Sequence, residues 1–568
     1  MRTAGTDKLY EPELNEGIRF TSYQHLLSLF LIAFIIISFG ACKSKRTAGP
    51  QPTLDSVYIE QYMSKEPAFK EHVIWAKEFY KERNFTLGWF KNHVVVPQAD
   101  SLLSVIKKAG EEGLDPKDYQ VKDFDKLFEE LKNVKKDTAR RSALEKEIDV
   151  ALSGTYFNWA SDYYRGLVIP RENEGIDWDV KRNKIKLHKA LLTVLGARES
   201  KYPYAEFKPL HHQYANLKKA LARYRSIQAK GGWPTIPSGT KLKPGQSSSA
   251  VPLLRKRLGI PGASGQDSTA SGGNVYDDQL VTAVKAFQTQ NGLNPDGNIN
   301  AETLKALNVP IQQRISQIII NMERWRWIPK SFEADHIIVN IPEFKLKLFK
   351  DSQEVMNMKV IVGKEMNATP IFSDKMEYVV ISPYWNIPPN ILREEIAPKI
   401  MEDPGYLERN DMEVITNKGA VVSASSVDWS GAGTDGFGYI VRKRPGPNND
   451  LGNVKFIFPN VDNIYLHDTP RDELFSQAKR GFSHGCVRVE KPLELAETLL
   501  KDVPGSWNRS KIMQQVSTQK EKYVPLKAKL PVYLVYFTAW ADSNGNAHFR
   551  EDLYGHDQTL KQQYFSKL

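Results

Sequence analysis

Hydrophobic positions change their spacing along this chain, and each change marks a boundary. Leu26 to Phe39 is apolar almost without a break. The run is short for a bilayer-spanning helix and has the length of a signal-peptide core. Residues 42–66 then read as a linker, with Pro50 and Pro52 among polar neighbours. From 67 to 232 apolar residues recur at helical spacing, as in Leu102-Leu103-Val105-Ile106 and Leu144-Ile148-Ala151-Leu152. A shorter helical segment spans 240–310, opened by Pro244-Gly245 and closed by a turn at Asn291-Gly292 and a last helix at 301–307. A connecting helix fills 311–333, with Ile315, Ile318, Ile319 and Met322 on its apolar side.

At His336 the period falls to two. His336–Asn340, Lys345–Phe349, Met356–Val362 and Met376–Ile381 read as strands. Residues 390–436 look inserted: a helix through Leu392 and Ile396, then loops rich in Gly, Ser and Asp. The sheet is expected to resume at Gly438–Arg444, a helix at Pro492–Leu500, and a terminal strand at Pro531–Phe537. Helices first and strands afterwards describe a multidomain α+β protein whose last domain, 334–568, is a sandwich or barrel.

Composition narrows this picture. At 568 residues the chain is too long for one core, and 41% hydrophobic with 26% charged residues is ordinary for folded domains. The formal charge of +11 suits an anionic polymer. The small residues before Cys42, in Phe39-Gly40-Ala41-Cys42, resemble a bacterial lipoprotein signal. That resemblance implies removal of 1–41, acylation of Cys42, a lipid anchor and a place on the periplasmic side of the envelope. The rival is an uncleaved anchor; Lys43, Lys45 and Arg46 disfavour it, because basic residues prefer the cytoplasmic side. An exported chain does not meet nucleic acid.

With Cys42 acylated, Cys486 is the remaining thiol. It lies in Ser483-His484-Gly485-Cys486-Val487-Arg488, and His467 stands nineteen positions upstream, after Ile464-Tyr465-Leu466. A thiol becomes a nucleophile when an imidazole takes its proton. Gly485 lets a substrate backbone approach. In an extended segment His484, Cys486 and Arg488 share one face, and Arg488 is suited to a carboxylate. Each residue alone is more often structural. A zinc site from His467, His484 and Cys486 is the chemical rival, but no fourth ligand with zinc-like spacing follows.

Taken end to end, Ser-His-Gly-Cys-Val-Arg with its upstream His resembles the signature of L,D-transpeptidases with a YkuD-type catalytic domain. The helical region resembles the scaffold domain of the large, YcbB-type members, and 390–436 falls where they carry a capping lobe. Ala283-Val284, Phe287-Gln288, Gly292-Leu293 and Asp296-Gly297 resemble a three-helix peptidoglycan-binding module. The resemblance implies an acyltransferase of cell-wall synthesis and cell shape, needing no metal or other cofactor. Cys486 would attack the third residue of a stem peptide, with His467 as base and D-Ala released. A diamino-acid side chain of a second stem would then resolve the thioester. Tyr465, Ser483, His484, Gly485 and Arg488 would orient base or substrate. Peptidoglycan stems and glycan are the implied partners of a monomer. An L,D-carboxypeptidase and a non-enzymatic wall tether remain the alternatives.

Overall fold

The computed structural model describes residues 51–134, 137–170, 175–180, 185–196, 210–260, 273–403 and 405–567. Cys42 and the apolar run before it lie outside these residues. Three hydrophobic cores organise the described chain. The largest is continuous from Leu54 in the helical region to Tyr564 near the C-terminus, the second fills the inserted lobe, and the third fills the small helical module.

The helical region starts earlier than the linker reading of 42–66 allows. Helix α1 (Ser56–Lys65) is capped by Asp55, whose carboxylate accepts the Tyr58 N–H, and it buries Ile59 and Met63 completely. The prolines at 50 and 52 mask this start, although a capping Asp before an i, i+4 apolar pair is a helix signal. Its neighbours gather on α2 (Thr138–Arg165). On α2 the buried Asp149 carboxylate accepts from Gly88 N, Trp89 N and the Tyr80 hydroxyl, which fixes the turn at 85–90. Helix α3 (His212–Ala229) ends the region.

The module consists of α4 (Val251–Leu258), α5 (Asp278–Gln290) and α6 (Ala301–Leu307). Tyr276 is fully buried at its centre, with its hydroxyl donating to the Gly297 carbonyl at 2.6 Å. Helix α7 (Ile311–Arg326) then joins helical region and sheet in one core. From Ile318 onward it is buried all round: Glu323 and Arg326 pair at 2.6 Å with no side-chain exposure, and Trp325 stacks on Phe537 at 4.2 Å. A helix with both charged and apolar faces buried is a central strut.

The large sheet begins with β1 (His336–Asn340), β2 (Lys345–Lys350), β3 (Gln353–Gly363) and β4 (Ser373–Ile381). The chain then leaves it for the lobe, where β5 (Trp385–Asn386), β6 (Met412–Thr416), β7 (Val421–Val422) and β8 (Tyr439–Lys443) form their own sheet in the order β5-β8-β6-β7. The expectation that 438–444 resumes the large sheet is therefore corrected: β8 pairs with β6 and β5, and Val441 belongs to the lobe core. Alternation marks a strand but not its partner.

The large sheet continues with β9 (Val454–Ile457), β10 (Leu466–His467), β11 (Gly481–Ser483) and β12 (Val487–Val489). After α8 (Pro492–Leu500) comes β13 (Lys522–Val535). The nine strands run β11-β3-β12-β10-β9-β4-β13-β1-β2, and β3 also pairs with β2, so the sheet closes on itself. Strand β13 lies inside it, parallel to β1 and antiparallel to β4. It is not terminal as expected: a hairpin, β14 (Ala539–Ala541) and β15 (Ala547–Phe549), and helix α9 (His556–Ser566) follow.

Candidate active site

Strand pairing brings the two halves of the motif together. β10 and β12 are parallel neighbours with Leu466 opposite Val487 and His467 opposite Arg488. Leu466, Val487 and Val489 point into the core. By alternation, Tyr465 and His467 share the other face with Cys486 and Arg488. On β9, Lys455 stands opposite His467. The Tyr465 and His467 rings lie 5.6 Å apart, and the Lys455 Nζ sits 3.7 Å above the Tyr465 ring.

The loop that carries the thiol is held from beneath. Ser483, almost fully buried, donates its hydroxyl to the Cys486 carbonyl at 2.6 Å and accepts the Gly485 N–H at 3.2 Å. Gly485 adopts φ +117, a left-handed backbone that favours glycine. This bend ends the extended geometry assumed for 484–486. The His484 ring is consequently parted from Cys486 and meets Glu395 of the lobe at 2.8 Å. Thr369 donates to the Gly485 carbonyl and accepts from Gly363 N, at 2.7 and 2.9 Å. Tyr554, from the far end of the chain, donates to the Gly363 carbonyl at 2.7 Å and accepts the Thr369 N–H.

His467 is oriented by backbone. Its Nδ1 lies 2.6 Å from the Asp468 carbonyl, which can only accept, so Nδ1 carries the proton and Nε2 keeps a lone pair. The Asp468 carboxylate takes no part, since it accepts from Asn453 N and Thr469 N. Burial first, and then the Arg488 charge, lowers the His467 pKa to about 3. Burial likewise pushes the half-buried Cys486 thiol up, opposed by hydrogen bonds from Tyr465 and by the charges of Lys455 and Arg488. Both shifts favour the uncharged thiol and imidazole over a thiolate–imidazolium pair. The Tyr465 hydroxyl joins the sulfur to the Trp385 side chain on β5.

Arg488 is half-buried, and its Nε is enclosed without a hydrogen-bond partner. A guanidinium in that state is a ready receptor for a carboxylate. Among the described residues no cluster of His, Cys, Asp and Glu side chains is arranged to hold a metal ion. Sequence reasoning missed Lys455, Trp385, Thr369 and Tyr554. Only Thr369 has a local signal, a Thr-Pro pair after the glycine that ends β3. Cys486, His467, Tyr465, Arg488, Ser483 and Gly485 come together around one loop, and His484 faces the lobe instead.

Comparison with known proteins gives three matches that share this order. Residues 334–513 match the YkuD family, described as "L,D-transpeptidase catalytic domain". Residues 75–221 match a "Scaffold domain", and 247–307 a "Putative peptidoglycan binding domain". A curated relative from Haemophilus influenzae, "Putative L,D-transpeptidase", is 34% identical over 291 residues. That match covers 50% of this chain and 57% of the relative, so the chain spans little more than half the length of that protein. Among solved structures, an L,D-transpeptidase from Mycobacterium smegmatis is 12% identical, covering 37% of this chain and 63% of that one with a TM-score of 0.16. An L,D-transpeptidase from Xylanimonas cellulosilytica is 15% identical, covering 53% and 99%, with a TM-score of 0.17. Superpositions that loose carry no weight beside the sequence matches.

Proposed function

Proceeding from a chain that carries a YkuD L,D-transpeptidase catalytic domain, a scaffold domain and a peptidoglycan-binding domain, we propose that it cross-links peptidoglycan stems between third-position diamino acids through a thioester on Cys486. The observation that carries this reading is the tautomer of His467. With Nδ1–H held by the Asp468 carbonyl, Nε2 is left to accept a proton on the face it shares with Cys486.

Because both groups rest neutral, proton transfer accompanies attack instead of preceding it. Sγ bonds to the carbonyl carbon of the third stem residue as its proton passes to Nε2 of His467. The carbonyl oxygen takes the negative charge. The Gly485 N–H is engaged by Ser483, so the Cys486 N–H is the nearby backbone donor for that oxygen. The C–N bond to D-Ala then breaks, and the imidazolium gives its proton to the leaving amine. Arg488 receives the stem carboxylate. In the second half, the acceptor's side-chain amine attacks the thioester, His467 takes the amine proton, and the sulfur leaves and is reprotonated. Tyr465 supports the sulfur while it is charged, and the lobe limits water.

Intact-mass spectrometry with a disaccharide-tetrapeptide donor tests this. The expected product is an adduct on Cys486 equal to the donor minus D-Ala, followed by cross-linked dimers. Tripeptide monomers alone would assign the chain to L,D-carboxypeptidases, and no adduct at all would favour a wall tether. We further propose that Cys42 is lipidated and that a monomer works on the periplasmic side of the envelope. Cys42→Ala should move the protein from the membrane to the soluble fraction.

A further inference from the structure

Three parts of the chain meet at a cleft of about 550 Å³, within the usual range for ligand sites. The second half of α3 forms one wall, the C-terminal end of α4 and the face of α5 form another, and the β14–β15 hairpin with the start of α7 closes it. Five cations line it: Arg223, Lys230, Lys256, Arg257 and Arg314. No carboxylate is among the described lining residues, and none of the five is in an ion pair with another described residue.

The guanidiniums are held by neutral acceptors and by rings. Arg257 donates to the Leu307 carbonyl and lies 3.8 Å over the Trp233 ring. Arg314 donates to Gln317 and Asn291 and lies 4.3 Å over Phe549. Arg223 donates to Asn546 at 2.9 Å. Tyr224 packs edge-on against both Trp233 and Phe549, at 5.8 and 5.7 Å, so the Arg257 and Arg314 guanidiniums flank one ring cluster. Such partners fix the arginines without neutralising them. Burial lowers the pKa of Arg257 and of Arg314 to about 10, which leaves both charged at neutral pH. Arg223, Lys230 and Lys256 form an exposed rim above this floor.

We propose that the cleft between module, scaffold and C-terminal hairpin is an anion-binding site that grips the carboxylates of peptidoglycan. The wall polymer would thus be held by the three parts jointly and not by the three-helix module alone. The choice of polymer rests on the function proposed above; the anionic character does not. Held there, the strand is anchored at a site separate from the thiol that acts on its stems.

The test uses full-length Cys486→Ala, which cannot turn over, in sedimentation with insoluble peptidoglycan sacculi. Arg223→Glu/Lys230→Glu/Lys256→Glu changes only exposed positions, and Arg257→Met removes charge from the floor. Each should weaken retention about tenfold or more, with the salt dependence reduced. Converting the sacculus carboxyls to neutral amides should weaken retention of the parent similarly. If the rim variant is retained as well as its parent, or the parent is not retained at all, the proposal fails. It also fails if amidation changes nothing while inorganic phosphate displaces the protein, which would make this a phosphate site. The thioester adduct formed by wild-type protein with a soluble donor is read separately, so a failed cleft and a failed reaction are distinguishable.

Discussion

The neutral resting state of His467 can be measured directly. An imidazole lowered from its ordinary 6.5 to about 3 by burial and by Arg488 corresponds to roughly 5 kcal/mol in favour of the neutral form. The unfolded chain binds a proton at this residue below about pH 6.5, and the native chain does not until about pH 3. The stability contributed by neutral His467 is therefore complete above pH 6.5 and shrinks as pH falls, by about 1.4 kcal/mol per unit. Near pH 5 the loss is about 2 kcal/mol. His467→Gln keeps a donor for the Asp468 carbonyl and removes the titration, so its stability should depend less on pH over this window. Nitrogen chemical shifts of isotope-labelled histidine give the site itself. His467 should hold one tautomer, protonated at Nδ1, from pH 8 to below pH 5, and Arg488→Met should raise its midpoint. A midpoint between 6 and 7, or an imidazolium at neutral pH, would refute the reasoning and restore a pre-formed ion pair.

Three further outcomes follow from the loop's supports. Ser483→Ala leaves the Gly485 N–H and the Cys486 carbonyl unpaired; a loss of about 2–4 kcal/mol should appear as a lower melting temperature and slower Cys486 acylation. Tyr554→Phe removes the hydrogen bonds to Gly363 and Thr369 and should slow acylation severalfold with far-ultraviolet circular dichroism unchanged. Glu395→Ala breaks the contact with His484, an exposed pair worth about 0.2–1 kcal/mol. Hydrolysed product should then rise relative to cross-linked product in a chromatographic assay, and an unchanged ratio would remove the lobe from control of water.

Much of the candidate site was legible in sequence because its residues are local. Ser483 through Arg488 is one short stretch, and the strand ending at His467 supplies the neighbour. The order of helical region, small module and sheet was legible because the hydrophobic period changes where the architecture changes. What escaped is non-local. Lys455 reaches His467 through strand pairing, Trp385 arrives at the root of the lobe, and Tyr554 lies 185 positions from the Thr369 it braces. No spacing announces such partners. Strand 439–443 has a sound strand pattern but a lobe partner, and the bend at Gly485 turned His484 away from the sulfur. The resting charge state was hidden because desolvation depends on what covers a group, which one dimension does not record.

The position of β13 has a bearing on synthesis. A ribosome releases Cys486 well before residues 522–535, which fill the gap between β4 and β1, and before Tyr554, which steadies the turn beneath the sulfur. A nascent chain thus carries the Cys486 thiol through translation without the scaffolding that positions it. The loop's supports arrive late, with residues 522–554, and a chain cut short before them would contain the whole signature and yet lack the strand and the tyrosine that hold it in place.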